Sequence, residues 1–228
     1  MRFSPLTEKY AQIDLEGRKA LRQEDGVKKF DGFSENLKER FGSTIIFEDQ
    51  SRGIIRDSLI DEIKSISQAT GIDFIFADYD FPLHATLLEG LCEDETVRDE
   101  LFKKIKENDQ LMKIINSLNG LEIEFKYLLL DKANVLLTCS HIPREIINAR
   151  KEISAVFEKS GLKPLRLENI LHITIARMTE LPKVEQEKKF HEYKNKIIQL
   201  RHEISLQPLK LKILKVSSGS TFDFLTFK

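Results

Sequence analysis

An α+β fold built on a duplicated unit is what this sequence predicts, and three observations predict it. Apolar residues recur at helical spacing in some segments and alternate strictly in others, in an order that interleaves helices with strands. Two apolar strands carry the same polar insertion, His84-Ala-Thr86 in "FPLHATLLEG" and His172-Ile-Thr174 in "LENILHITIARM". A helical stripe precedes each of these strands and another helix follows it, so the two halves repeat, with the histidines 88 residues apart at positions 84 and 172.

The elements follow in order. Residues 1–42 are charged and read as an N-terminal extension with one or two short helices. "STIIFE" (43–48) reads as a strand. Ile55, Leu59, Ile63 and Ile66 fall at helical spacing, with Gly71 as the stop. "IDFIFADYD" (72–80) reads as a second strand, and Pro82 introduces the third, which carries the first His-x-Thr. Val97, Leu101, Ile105, Met112 and Ile115 form a helical stripe that Asn108-Asp109 divides. "LEIEFKY" (121–127) and "NVLLTCS" (134–140) flank the turn-like Asp131-Lys132 and read as an antiparallel pair. Pro143 opens a helix that buries Ile146, Ile153, Val156 and Phe157 and ends before Gly161. After the second His-x-Thr strand, Phe190, Tyr193, Ile197 and Leu200 mark a helix. "LKLKILKV" (209–216) and "FDFLTF" (222–227), joined at "SSGS", read as a closing hairpin.

The composition is that of an ordinary globular protein, 41% hydrophobic and 32% charged, with a chain of 228 residues that is long enough for a sizeable core. A formal net charge of −1 gives no global positive field for long DNA and leaves a small anionic substrate open. No apolar run reaches the length of a membrane span and the N-terminus has no signal-peptide core, so a cytoplasmic protein is expected. Cys92 and Cys139 show no metal-ligand spacing and read as reduced, partly buried thiols.

Side chains in a strand alternate between faces. His84 and Thr86 therefore share one face while Leu83, Ala85 and Leu87 take the other, and His172 with Thr174 repeats the arrangement against Leu171, Ile173 and Ile175. Two such strands, related as equivalents, would bring two imidazoles and two hydroxyls into one cleft. That set suits phosphodiester cleavage. One imidazole takes a proton from the attacking water or hydroxyl, the other gives a proton to the departing oxygen, and an unperturbed pKa near 6.5 makes both forms available at neutral pH. The hydroxyls can donate to the non-bridging phosphate oxygens. No carboxylate cluster adjoins either motif, only Glu89 just after the first, so no metal and no other cofactor is called for.

The paired "His84-Ala-Thr86-Leu" and "His172-Ile-Thr174-Ile", with Gly90 closing the first motif and "HITIAR" forming the second, resemble the signature of the two-histidine (2H) phosphoesterase superfamily. Its members include 2′-5′ RNA ligase-like proteins and cyclic nucleotide phosphodiesterases. The resemblance covers roughly residues 43–228. It implies a bilobal fold, each lobe an antiparallel sheet with flanking helices and the active cleft between the lobes. It also implies that His84 and His172 are acid and base, that Thr86 and Thr174 are phosphate donors, and that Arg177 lies near the substrate phosphate. Strict alternation sets Arg177 opposite to His172, so that last role requires a bulge or a strand end. The chain departs from the family pattern in its 42-residue extension, which could cap the cleft or alter which substrate fits, and in "STIIFE", which lacks the basic residue often found near that point.

Other residues have plainer readings. His141 reads as a loop or capping residue, His191 and His202 as solvated, Phe74, Phe76 and Tyr79 as core, with base stacking as the alternative if they line the cleft, and "KVEQEKK" as a solvated helix face. The expected protein is a monomeric, metal-independent phosphodiesterase acting on a small nucleotide or RNA end that carries a 2′,3′-cyclic phosphate, a 2′-5′ linkage or a cyclic (oligo)nucleotide. His172 is expected as base and His84 as acid, although the near-symmetry of the motifs allows the reverse. The alternative is a non-catalytic nucleotide or RNA-end binding module that keeps the cleft.

Overall fold

The structure is a computed structural model that describes residues 5–22, 40–47, 49–81, 83–91, 107–139, 141–165, 170–180 and 209–219, with several positions between 188 and 199. Among the described residues of the extension lies helix α1 (Pro5–Arg22), longer than the short helices expected; residues 23–39 lie outside the described residues. Tyr10, Ile13, Asp14, Gly17 and Ala20 lie along its inner stripe at spacings of three and four.

Strand β1 (Arg40–Phe47) begins three residues before "STIIFE". Helix α2 (Asp49–Ile55) runs through a π turn at Arg56–Ile60 into α3 (Asp61–Thr70). The stripe Ile55, Leu59, Ile63 and Ile66 is buried as the spacing predicts. Gly71 ends the helix at φ 66°, the left-handed turn that glycine adopts without steric cost. The strand expected over 72–80 shortens to β2 (Phe74–Phe76), because the chain turns at once. Asp80 accepts the Phe76 N–H through Oδ2 at 2.7 Å, and Asp78, itself at φ 65°, donates its N–H to the Phe81 carbonyl at 2.7 Å.

Strand β3 (His84–Leu91) carries the first motif. The helix at 109 differs from its expected phase. Asn108 Oδ1 accepts the Leu111 N–H at 2.9 Å and starts α4 (Asp109–Ser117) there. With that start the buried stripe is Leu111, Ile114 and, just beyond the helix, Leu118, while Met112 is half-buried. Val97, Leu101 and Ile105 lie outside the described residues.

Strands β4 (Glu122–Leu130) and β5 (Asn134–Cys139) form the expected antiparallel pair, turned by Asp131, whose Oδ1 accepts the Ala133 N–H at 2.7 Å. Helix α5 (Arg144–Lys159) follows Pro143 and buries Ile146, Ile153, Val156 and Phe157. Beyond Ser160, Gly161 takes φ 89°. Strand β6 (Lys163–Leu165) leads to β7 (His172–Met178), the second motif strand. Strand β8 (Leu209–Gly219) runs through most of "SSGS", which was expected as a turn. Its small residues continue the ladder with β1, as Ser217, Ser218 and Gly219 pair with Thr44, Ser43 and Gly42. The segment "FDFLTF" lies outside the described residues.

These elements make an α+β fold around an eight-stranded sheet in the order β2-β7-β5-β4-β8-β1-β3-β6, with every strand pair antiparallel. The order divides into two blocks of four, each holding one motif strand. The blocks exchange short strands: β2 from the first half pairs with β7, and β6 from the second half pairs with β3. They join along β4 and β8, and the sheet curls so that β3 and β7 also meet. Ala85, Leu87, Ile173 and Ile175 on the inner face pack in one core with Ile146, Ile153 and Phe157 of α5.

Candidate active site

Strands β3 and β7 touch through one described pair, Ala85 with Ile173. Both side chains are fully buried, so this face of each strand belongs to the core. By alternation His84, Thr86, His172 and Thr174 project from the other face, and all four are half-buried. One step either side of the antiparallel pair, His84 stands across from Thr174, and Thr86 across from His172. The curl of the sheet thus gathers the four residues on one side of the seam between the blocks.

Each motif strand breaks its alternation at the fourth residue of its motif. On β3, Thr86 pairs with Thr44 but Leu88 pairs with Ser43, so Leu87 is the extra residue of a β-bulge. On β7, Thr174 pairs with Leu136 but Ala176 pairs with Val135, so Ile175 is extra. Two consecutive buried residues mark each bulge: Leu87 with Leu88, and Ile175 with Ala176. The second bulge decides where Arg177 points. Unbroken alternation would send it to the face opposite His172; the extra residue returns it to the half-exposed face of the motif, leaving Ala176 and Met178 buried. Its guanidinium lies over the Phe81 ring, 5.4 Å from the centroid, so Arg177 reaches from the second motif strand to the segment that leads into the first.

The electrostatics of His172 report the same convergence. Burial drives its pKa down to about 4, and the charges of Arg177, His84 and Arg150 push the same way against the opposing pull of Asp131. His172 is therefore neutral at pH 7.

The structure also brings in residues that the sequence reading did not select. Thr138 on β5 pairs with His172 and is buried, its hydroxyl donating to the Tyr127 carbonyl at 3.2 Å. Tyr10 of α1 reaches the residue just before His172. Its hydroxyl donates to the Leu171 carbonyl at 2.6 Å and accepts the Leu171 N–H at 2.8 Å. Tyr10 also packs with Leu129 and Leu136, and Leu136 pairs with Thr174, so α1 covers the sheet face from which the second motif projects. Burial raises the Tyr10 pKa and keeps the phenol protonated. A charged residue inside the apolar stripe of a helix was a legible signal for one more: Arg150 lies between Ile146 and Ile153 on the buried side of α5.

Phe76 is buried, and Phe74 packs between Phe76 and Tyr193 at ring separations of 6.2 and 5.2 Å. Tyr79 is not core. It is 48% exposed, donates to Asp61 Oδ1 at 2.5 Å and sits under the Lys64 ammonium, because the turn at Asp78 carries it out of the strand. Cys139 is fully buried with its thiol pKa pushed up to about 11, a packed and inert cysteine, while Cys92 is outside the described residues. His141 is exposed in the loop before α5, His191 is exposed on a helical turn, and His202 is outside the described residues. Among the described residues no three His, Cys, Asp or Glu side chains gather as a metal site, and no helix is long and apolar enough to cross a membrane.

No family model matches the sequence, and no curated protein does. Solved structures of similar shape do exist. Usb1 of Kluyveromyces marxianus, solved with uridine monophosphate, is 13% identical with a TM-score of 0.47, covering 83% of this chain and 98% of its own. The MHV ns2 PDE domain is 15% identical with a TM-score of 0.45, covering 62% of this chain and 85% of its own. A further structure described as a phosphoesterase is 13% identical with a TM-score of 0.40, covering 79% and 86%. The site itself is defined by this chain's own residues, two His-x-Thr strands that pair at Ala85 and Ile173, with Arg177 turned onto their half-exposed face by a bulge.

Proposed function

We propose that this protein is a two-histidine phosphoesterase that cleaves a nucleotide-type phosphodiester without a metal, and that a 2′,3′-cyclic phosphate at a nucleotide or RNA end is the substrate that best fits its chemistry. The observation that carries the proposal is the pairing of Ala85 with Ile173, from which both His-Thr pairs project on one side. Binding alone would not call for two proton-transfer groups facing each other.

Each residue then has a role. Neutral His172 accepts a proton from the attacking water as its oxygen bonds to phosphorus. Protonated His84 gives a proton to the ribose oxygen as the P–O bond to it breaks, leaving a phosphomonoester. Thr86 and Thr174 donate to the non-bridging oxygens, where charge accumulates, from positions fixed by the strands. Arg177 pairs with the phosphate and orients it. Burial is the main cause of the low His172 pKa, and the anion offsets the smaller contribution of the charges on Arg177, His84 and Arg150, so substrate raises the basicity of His172. A low pKa in the free site thus becomes a more useful one in the complex.

The test is turnover of 2′,3′-cyclic nucleotides and of 2′-5′ dinucleotides by the purified chain, with and without chelator, beside His84→Ala and His172→Ala. Turnover that survives EDTA and is lost in both variants is the expected result. Binding of these nucleotides with no turnover would establish the binding-module alternative.

A further inference from the structure

Arg150 is a buried cation outside the four-residue motif set. It is 9% exposed, and among the described residues no carboxylate forms an ion pair with it. A buried guanidinium is costly unless its N–H groups find acceptors. They find two, one from each motif strand region. Nε donates to the Leu87 carbonyl at 2.7 Å, and one terminal nitrogen donates to the Ile170 carbonyl at 2.8 Å.

Those two carbonyls occupy particular places. Leu87 is the bulge residue directly after Thr86, where the ladder between β3 and β1 is interrupted. Ile170 is two residues before His172, ahead of the start of β7. The two strands share only the Ala85–Ile173 pair among the described residues, after which β3 continues with β1 and β6 and β7 with β5 and β2. Where the strands part, Arg150 takes the place of further ladder hydrogen bonds. We infer that Arg150 is a positioning residue for both motifs, its rigid planar fork fixing the separation of β3 and β7 and hence of the two His-Thr pairs. This rests on the phosphoesterase reading for its effect on rate, but not for its effect on geometry. Lysine retains the charge and lacks the fork, so it cannot hold two carbonyls at a fixed spacing.

The experiment compares Arg150→Lys and Arg150→Met with the unmodified protein in two ways. The first is steady-state kinetics on a 2′,3′-cyclic nucleotide. Misplacement by about an ångström costs roughly 10²-fold, so kcat should fall by about that factor in Arg150→Lys, with a much smaller change in KM. The second needs no turnover: inorganic phosphate is titrated while the His84 and His172 imidazole resonances are followed by NMR. In the unmodified protein one phosphate should shift both with a single Kd; in Arg150→Lys the two responses should separate or weaken together. Folded variants with unchanged kcat and an unchanged joint response, and only a lowered Tm, would overturn the inference. Failure of both variants to fold would also overturn it, by assigning Arg150 to stability alone. If the unmodified protein turns over no phosphodiester, the phosphoesterase reading fails and the titration alone decides the role of Arg150.

Discussion

Ala85 and Ile173 pair across the seam between β3 and β7, and neither carries any chemistry. Their importance lies in their neighbours. Because both are buried in the core, the residues on either side of each are committed to the opposite face, and those residues are the two histidines and two threonines. A single backbone pairing thus converts a repeated sequence motif into one candidate site.

Replacing either histidine tests that site directly. His84→Ala and His172→Ala should each lower kcat/KM by about 10²- to 10⁴-fold, the usual contribution of one general acid or base. The profile of kcat/KM against pH should be a bell whose limbs belong to the coupled pair. A folded alanine variant with near-normal turnover would show that other residues carry the reaction.

The threonines should behave differently. Thr86→Val and Thr174→Val keep the side-chain shape and remove the donor, so the rate should drop by up to about 10²- to 10³-fold. No proton-transfer group is altered, and the bell should stay in place. Movement of either limb would assign the threonine a role in setting a histidine pKa.

The depressed His172 pKa makes two predictions. Its imidazole is held down to about 4 by burial first and by nearby positive charge second. NMR titration should find it neutral down to mildly acidic pH, and saturating inorganic phosphate should raise its pKa. The linkage sign follows: between about 4 and the ordinary value near 6.5 the unfolded chain binds a proton that the folded chain does not, so stability falls as pH drops through this window, by up to roughly 3 kcal/mol. Urea unfolding at pH 7.5 and at pH 4.5 should show this loss, and His172→Ala should show less of it.

Arg177→Ala removes a cation whose charge opposes protonation of His172 and which, in the proposed site, pairs with the substrate phosphate. KM for a phosphodiester should rise, and the His172 pKa should move upward because one of the charges opposing its protonation is gone. Arg177→Lys should restore the pKa more fully than the binding, since lysine supplies charge without the bidentate fork. A KM unaffected by Arg177→Ala would remove Arg177 from the site.

Tyr10→Phe tests whether α1 belongs to the same structural unit. The change deletes the hydroxyl that accepts the buried Leu171 N–H, while the Leu171 carbonyl keeps the Cys139 N–H at 3.4 Å. Unsatisfied buried groups cost about 1–3 kcal/mol, read as a shift in the urea midpoint. The variant should also lose activity, because Leu171 adjoins His172. Unchanged stability would mean that α1 packs there without supporting the motif.

The sequence by itself determined much of this protein. Helical and alternating periodicities located most of the elements, and Pro143, Gly71 and Gly161 marked helix ends where their backbone preferences placed them. The repeat of His-x-Thr on apolar strands named four residues, and alternation put each pair on one face. Local pattern was sufficient there because a strand's period of two is a property of the strand alone. Four decisions belonged to the tertiary structure. The bulges at Leu87 and Ile175 arise from a mismatch between each motif strand and its neighbour, so no reading of one strand could place Arg177 with His172. The exchange of β2 and β6 between blocks, and the meeting of β3 with β7, depend on how the whole sheet curls. Arg150 showed only as an oddity in an apolar stripe until two carbonyls from distant segments met it. Tyr10 is 161 positions from Leu171, and its docking joins the charged extension to the second motif strand. Local periodicity fixes which face a residue takes within its own element; which faces then meet is decided by long-range pairing, which periodicity does not encode.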